Sequence, residues 1–409
     1  MTTQSEFEKA ERNETSTSSI LEGSTTALTR RKALRLAGSG LGVALLAPLT
    51  CGRAFAQQKD FKIAVIASMT GPASPFFKEW VEGFRAYTRE WNARGGIKGR
   101  KVVLNVIDDE SAPVPAANGY RRAATDPDTD LAWVAGPGAG GLAMKALARE
   151  LKLPIVSGGA LDALGNPVEP YFFKIGPANR DYLTLYLNWC KAKGMKRLAF
   201  LLGNDAYGQG EAQTAKEITA QLGLEIVALE FFATTDTNFS SQLVRVRSAR
   251  PDIFYEGGTG APGVLIYKQY RQLGLKSPIC LVLGSITEAF YQGIGGASEA
   301  DGALTPGLIG LLGEKAQGDS GKLYVKMSQA LGRAGNISNS LGWDIGIVSE
   351  AAINGSDGSR EGIRAALDKT TELPGINGPI TYSPKIHVGQ DIRGLSMLRL
   401  EGGKFVPAG

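Results

Sequence analysis

The sequence predicts an α/β protein of two doubly wound parallel-sheet lobes joined by a three-strand hinge. Three observations predict it. Residues 61–110 read as strand, loop, helix, tight turn and strand. Apolar runs and amphipathic stretches then keep alternating as far as Ile175. The same alternation restarts after Gly176-Pro177-Ala178, in a second array of similar size.

The elements follow in order. The β-branched run Ile63 to Ile66 ends in the turn Thr70-Gly71-Pro72, and an amphipathic helix from Pro75 to Ala93 stops at Gly95-Gly96. A second strand, Val102 to Ile107, ends in Asp108-Asp109-Glu110. The strand Leu131 to Ala135 runs into Gly136-Pro137-Gly138-Ala139-Gly140-Gly141 and a helix from Leu142 to Leu151. Strands Leu153 to Ser157, followed by Gly158-Gly159-Ala160-Leu161, and Tyr171 to Ile175 complete the first array. Beyond the crossing come helix Asp181 to Lys193, strand Arg197 to Leu202, a loop from Gly203 to Gly210 and helix Glu211 to Leu222. Strand Leu224 to Phe231, helix Asn238 to Ala249, strand Ile253 to Tyr255, helix Ala261 to Leu273 and strand Ile279 to Leu283 follow. Helices near Lys322 to Leu331, Leu341 to Ile353 and Arg360 to Asp368 are expected to return to the first lobe, and a last strand, Leu395 to Leu400, to close the second. The expected boundaries are 57–176 plus 305–385 for lobe 1 and 177–304 plus 386–409 for lobe 2. Ligand sites in open parallel sheets lie outside the carboxyl ends of the strands, so two facing sheets put the site in the cleft.

Residues 1–56 read as a leader outside the fold. Thr29-Arg30-Arg31-Lys32-Ala33-Leu34 is similar to a twin-arginine export signal, with Ala33 where that pattern prefers Phe. Leu36 to Leu49 is moderately apolar and too short to span a bilayer by itself. Ala54-Phe55-Ala56 is a small-x-small cleavage site, so the exported chain is expected to begin near Gln57. Cys51 invites a lipoprotein reading, which Pro48-Leu49-Thr50 fits poorly. About 350 residues remain, too long for one typical domain and comfortable for two. Lys and Arg number 45 against 40 Asp and Glu, a balance that argues against nucleic acid or an anionic membrane as the main partner. Cys190 and Cys280 read as buried thiols.

The first unit also resembles the branched-chain amino-acid-binding family of periplasmic solute receptors. The likeness extends through Asp205-Ala206-Tyr207-Gly208-Gln209-Gly210, Thr237-Asn238-Phe239-Ser240-Ser241-Gln242-Leu243 and Pro251-Asp252-Ile253-Phe254. It continues through Leu273-Gly274-Leu275-Lys276-Ser277-Pro278-Ile279 to the final Gly402-Gly403-Lys404-Phe405. The resemblance implies a type I periplasmic binding protein, a Venus-flytrap fold that captures a small molecule by hinge closure. It implies a periplasmic monomer that hands its ligand to the permease of an ABC importer, does no covalent chemistry and needs no cofactor. The twin-arginine translocase would be its partner during export. A ligand-sensing module of the same fold is an alternative reading.

The loop Gly136 to Gly141 formally matches G-x-G-x-x-G, with Asp162 21 residues on, so an exported nucleotide-cofactor oxidoreductase is the other alternative. Against it, Pro137 stiffens the turn and the motif does not open the sheet. In the receptor family this spot is a loop whose amides receive a ligand carboxylate at a helix N-terminus. His387 is the only imidazole, expected at the surface or hinge, and no Cys/His cluster has metal-ligand spacing. Asp108-Asp109-Glu110 reads as a solvated turn or helix cap rather than a cation site.

Matched without gaps, the family's carboxylate-binding loops fall on Ala139-Gly140 and Gly159-Ala160-Leu161. The backbone donors survive there, but both hydroxyls are replaced, by Ala139 and Leu161. The acid that meets the ligand ammonium is replaced by Leu283. Phe76 keeps the aromatic at the entrance, Tyr207 matches the tyrosine that closes over the ligand, and Thr259 stands where a tyrosine is common. Burying an ammonium without a partner costs several kcal/mol. Unless Glu256 or Asp205 substitutes, the pocket is therefore expected to prefer a carboxylate on an apolar body, an aromatic or aliphatic acid, over a free amino acid.

Overall fold

A computed structural model describes residues 59–409. The expectations for the leader, its cleavage site and Cys51 lie outside these residues.

The first sheet is wholly parallel. Its strands β1 (Phe61–Ala67), β2 (Val102–Asp108), β3 (Thr129–Ala135), β4 (Ile155–Ser157) and β5 (Phe172–Lys174) run in the order β2-β1-β3-β4-β5. Helices α1 (Ser74–Ala93), α2 (Pro113–Thr125), α3 (Gly138–Leu151) and α4 (Asp162–Gly165) connect them. Helix α2 carries Pro113, Pro115 and Gly119 and so hides its helical pattern from a reading of residue types. The second lobe opens with α5 (Asn179–Ala192), β6 (Arg197–Gly203), α6 (Ala206–Leu222), β7 (Glu225–Phe232), α7 (Ser240–Ser248) and β8 (Ile253–Gly257). It goes on through α8 (Ala261–Gln272), β9 (Ile279–Leu281), α9 (Glu288–Ile294) and β10 (Leu304–Leu308). After α10 (Asp319–Leu331), α11 (Ile337–Asn354) and α12 (Arg360–Leu367), the chain ends in β11 (Leu395–Glu401) and β12 (Lys404–Pro407).

The second sheet, β12-β11-β10-β9-β8-β6-β7, is parallel except at one side, where β10, β11 and β12 pair antiparallel. Gly402 and Gly403, both at positive φ, form the two-residue turn between β11 and β12. Strand β10 pairs with β9 and β11 in this sheet. The chain therefore leaves lobe 2 after Leu308 and not at residue 305. At the other end of the return, the backbone of His387 and Gly389 bonds to Lys174 beside β5, so residues 386–389 stay with the first sheet. Sequence periodicity does not reveal which sheet a short apolar strand joins.

Both sheets are covered on both faces. In lobe 1, α1 and α11 close one face, where Trp80, Phe84, Trp133 and Trp343 share a single apolar cluster. Ala116, Met144 and Leu153 build the cluster on the other face. Cys190 and Cys280 are free, buried thiols, in the core beneath α5.

The hinge is knit by buried polar groups. Lys174 Nζ donates to the carbonyls of Gly176 and Pro177, at 2.6 and 3.0 Å. The Gly176 amide donates to Gln390 Oε1, and Gln390 Nε2 donates to Asp344 Oδ2. His387 belongs to the same region and is 2 % exposed, so it is a buried hinge residue and not a surface one. It stacks on Phe173 and pairs through Nε2 with Asp368 at 3.0 Å.

Candidate functional site

The strand ends of both sheets enclose a cavity of about 350 Å³ between the lobes. That volume suits a small organic molecule. From lobe 1 come the loop after β1 with the start of α1, the β3–α3 turn and the loop after β4. From lobe 2 come the start of α6, the β8–α8 turn and the turn after β9. Gly176 and Leu341 line it from the hinge side.

Of the residues expected at the site, Phe76, Ala139, Gly159, Ala160, Leu161, Tyr207, Thr259 and Leu283 line this cavity. Gly140 does not: it is buried in α3, facing Ala116 of α2. A helix turns by about 100° per residue, so adjacent positions at a helix start do not share a face. The sequence reading also missed Trp80, Tyr182 and Leu341 as wall residues. Phe76, Phe77 and Trp80 fall at helical spacing on α1, a signal that was present. Tyr182 and Leu341 are brought in by the hinge, and no local pattern marks them.

The polar face of the cavity is backbone. Helix α3 has no side-chain cap. The amides of Gly138 and Ala139, and those of Gly159 and Ala160, meet no acceptor among the described residues. Free amides at a helix start favour an anion. The glycines of the formal dinucleotide motif have another use: a Cβ at Gly138 or Gly141 would lie 2.9 or 2.8 Å from a methyl of Leu161 or Leu164. They let α3 pack against Leu161 and the short helix α4.

The rest of the wall is largely apolar and aromatic. Phe76 and Phe77 pack against Trp80 with ring centroids 5.9 and 5.7 Å away. Tyr207 lies in the first turn of α6 and not in a loop, because Asp205 caps that helix by accepting from the Gly208 amide at 2.9 Å. The Tyr207 ring packs against apolar clusters of both lobes, and Leu283 of lobe 2 packs against the main cluster of lobe 1. The lobes therefore meet across the cleft. Tyr207→Ala removes this bridge. It is expected to weaken ligand binding by about tenfold or more and also to lower the melting temperature of the ligand-free protein. Calorimetry and a thermal melt read the two effects separately.

Glu256 does not face the ligand space. It is fully buried, and it accepts from the Gly258 amide and from Ser285 Oγ. Burial pushes its carboxyl up to about 8. Asp205 is the one carboxylate of the cavity wall among the described residues, and one of its oxygens already serves as the helix cap. Among the described residues, no Lys, Arg or His lines the cavity. The acidic run behaves differently from a solvated turn. Asp108 accepts from the amides of Met69, Thr70 and Glu110, and Asp109 is buried, accepting from Ser68 Oγ and the Ser111 amide. Together they lock the loop after β1. Among the described residues no group of three or more His, Cys, Asp and Glu is placed to hold a metal ion.

A family model described as periplasmic binding protein matches residues 60–404. The chain belongs to the periplasmic binding protein family. It has the type I fold of that family and is a solute-binding protein of the branched-chain amino-acid type, not an enzyme. The Leu/Ile/Val-binding protein BraC3 of Rhizobium johnstonii is 25 % identical over 89 % of this chain and 98 % of its own length. The Leu/Ile/Val-binding protein homolog 3 of Brucella melitensis is 29 % identical over 62 % of this chain and 69 % of its own. Among solved structures, an extracellular ligand-binding receptor from Rhodopseudomonas palustris HaA2 has a TM-score of 0.78 at 24 % identity, covering 85 % of this chain and 99 % of that one. An ABC transporter solute-binding protein of R. palustris in complex with benzoate has a TM-score of 0.73 at 20 % identity, covering 86 % and 96 %.

Proposed function

We propose that this periplasmic binding protein captures a small carboxylate with an apolar, aromatic or aliphatic body and delivers it to the permease of an ABC importer. The twin-arginine leader would carry it to the periplasm, where it works as a monomer. The observation that carries the reading is one cavity wall: free amides at the start of α3 face an enclosure of Phe76, Phe77, Trp80, Leu161 and Leu283. The amides of Ala139, Gly159 and Ala160 would take the carboxylate. Phe76, Leu161, Tyr207 and Leu283 would enclose the body, with Thr259 beside it. Leucine-type ligands bring an ammonium group, and Glu256 is engaged elsewhere. The benzoate complex of the R. palustris relative gives the same chemistry a precedent. Asp205 in the wall is the one feature that favours an amino acid instead. Closure adds Tyr207 and Leu283 to contacts already made with lobe 1, so ligand shifts the hinge equilibrium toward the closed form.

A thermal-shift screen of the full chain tests this. The panel holds leucine, isoleucine, valine, their amides, and aromatic and aliphatic carboxylates. A ligand at about a hundred times its Kd adds roughly 2.7 kcal/mol, a shift of a few degrees. A shift with carboxylates and none with amino acids is expected. A shift with leucine alone overturns the reading and points to Asp205. A complementary variant is Leu283→Glu, which places an acid in the wall. It should weaken carboxylate binding by about tenfold or more and admit leucine. No gain of leucine binding in calorimetry would count against Leu283 as the position that sets this preference.

A further inference from the structure

Tyr207 and Glu211 lie one helical turn apart on α6 and share a face of the helix. The Tyr207 hydroxyl donates to Glu211 Oε1 at 3.2 Å. The Tyr255 hydroxyl, from β8, donates to the same oxygen at 2.9 Å. Glu211 is 1 % exposed and does not line the cavity. Its other oxygen, Oε2, is buried with no hydrogen-bond partner among the described residues.

A carboxyl so placed is a poor way to stabilise a core. Its two tyrosine donors meet one oxygen and leave the other unsatisfied, whereas an apolar side chain would join Leu202, Ala212 and Ala215 at no desolvation cost. What the carboxyl adds is direction. It draws the Tyr207 hydroxyl into lobe 2, so the ring and not the hydroxyl is presented to the cavity. The same ring is the one that bridges the apolar clusters of the two lobes.

We propose that Glu211 is a positioning residue that holds the Tyr207 ring as an aromatic wall of the cavity and thereby favours ligands with a flat apolar body. The inference rests on the carboxylate reading above for its choice of probes. The titratable groups around Glu211 are Tyr207 and Asp205 at the start of its own helix, Tyr255 and Glu256 of β8, and Cys280 of β9. Burial pushes Glu211 up to about 8, so the group is neutral at pH 7. Above pH 8 it places a negative charge behind Tyr207 and opposes a bound carboxylate.

The test uses the full chain and calorimetric Kd values for benzoate, its saturated counterpart cyclohexanecarboxylate, and leucine. The variants are Glu211→Gln, which keeps an acceptor for the tyrosines, Glu211→Leu, which removes it, Tyr207→Phe, and the Tyr207→Phe, Glu211→Leu double variant. Glu211→Gln should stay within about threefold of wild type and Glu211→Leu should weaken benzoate by about tenfold or more. The wild-type preference for benzoate over the saturated acid should shrink in Glu211→Leu. The double variant should be no weaker than Tyr207→Phe alone. Wild-type affinity should fall between pH 7 and pH 9, and that of Glu211→Gln should fall less, since Glu256 alone then gains charge there. Wild-type affinity in Glu211→Leu, or a full cost of that change in the Tyr207→Phe background, would overturn the proposal. If Glu211→Leu does not fold, equal pH profiles of wild type and Glu211→Gln overturn it instead. Binding of leucine without benzoate would end the carboxylate reading, while the variant comparison made with leucine still decides the role of Glu211.

Discussion

Gly158→Ala is expected to abolish ligand capture. Gly158 follows the last residue of β4, and a Cβ there would fall inside the van der Waals envelope of Cη2 and Cζ3 of the Trp80 ring. The clash is with a rigid indole, 1 % exposed, and not with the end of a flexible chain. Trp80 in turn packs against Phe76 and Phe77, and all three rings line the cavity. The indole can yield only toward the cavity or into the α1–α11 contact. Either move changes the shape of the wall where the ligand body would lie. A loss of affinity of about a hundredfold or more is expected, with a destabilisation of about 1–3 kcal/mol from overpacking. Trp80→Leu in the Gly158→Ala background should return part of the stability without returning the affinity. Calorimetry and thermal melts measure both, and wild-type affinity in Gly158→Ala would remove Trp80 from the binding wall.

The ligand-free protein should be markedly more stable at pH 5 than at pH 7. Burial raises Glu211 and Glu256 from an ordinary 4.5 to about 8. Glu79 and Asp344 are raised to about 7 and about 6 by the same cause. Between pH 5 and pH 7 the folded protein therefore holds protons that the unfolded chain has released. Stability falls as pH rises wherever the native state binds more protons. Glu211 and Glu256 together contribute about 5 kcal/mol across these two pH units, at about 1.4 kcal/mol per unit for each group. For a chain of this size the melting temperature should drop by roughly 5–10 °C. Lys174, fully buried and pushed down to about 7, acts in the opposite sense and at higher pH. It holds its proton in both states below pH 7, so the window is set by the carboxyls. Glu211→Gln and Glu256→Gln should each flatten the profile. A melting temperature that is flat or rising from pH 5 to pH 7 would mean that these carboxyls are ionised in the folded protein.

Most strand–helix alternation was legible in the sequence because buried parallel strands must be short apolar runs, and the helices over them must be amphipathic. Helix α2 escaped because its prolines and glycine argue locally for a loop. Strand β10 carries no clear local signal because Pro306 and Gly307 are poor strand formers, and its pairing with β11 decides the matter. The site was legible in part for a different reason. The family resemblance pointed to Phe76, Leu161, Tyr207 and Leu283, and they line the cavity because they stand at strand ends or helix starts, where a parallel sheet places its ligand space. Gly140 was misplaced because a loop motif says which residues are near a helix N-terminus and not which way each one faces.

By itself, the sequence determined the fold class and the two-array order of the chain, since these depend on local pattern; the replacement of hydroxyls by Ala139 and Leu161 is what the family resemblance implies. Only the tertiary structure decided that Glu256 is turned into the core of lobe 2, that the Tyr207 hydroxyl is held by Glu211, and that Trp80 and Tyr182 line the cavity. Adjacent residues on a strand point to opposite faces, so Tyr255 reaches Glu211 while Glu256 reaches Ser285. Which of those faces looks into the cleft is set by the helices packed on each side, and their contacts join residues far apart in the chain.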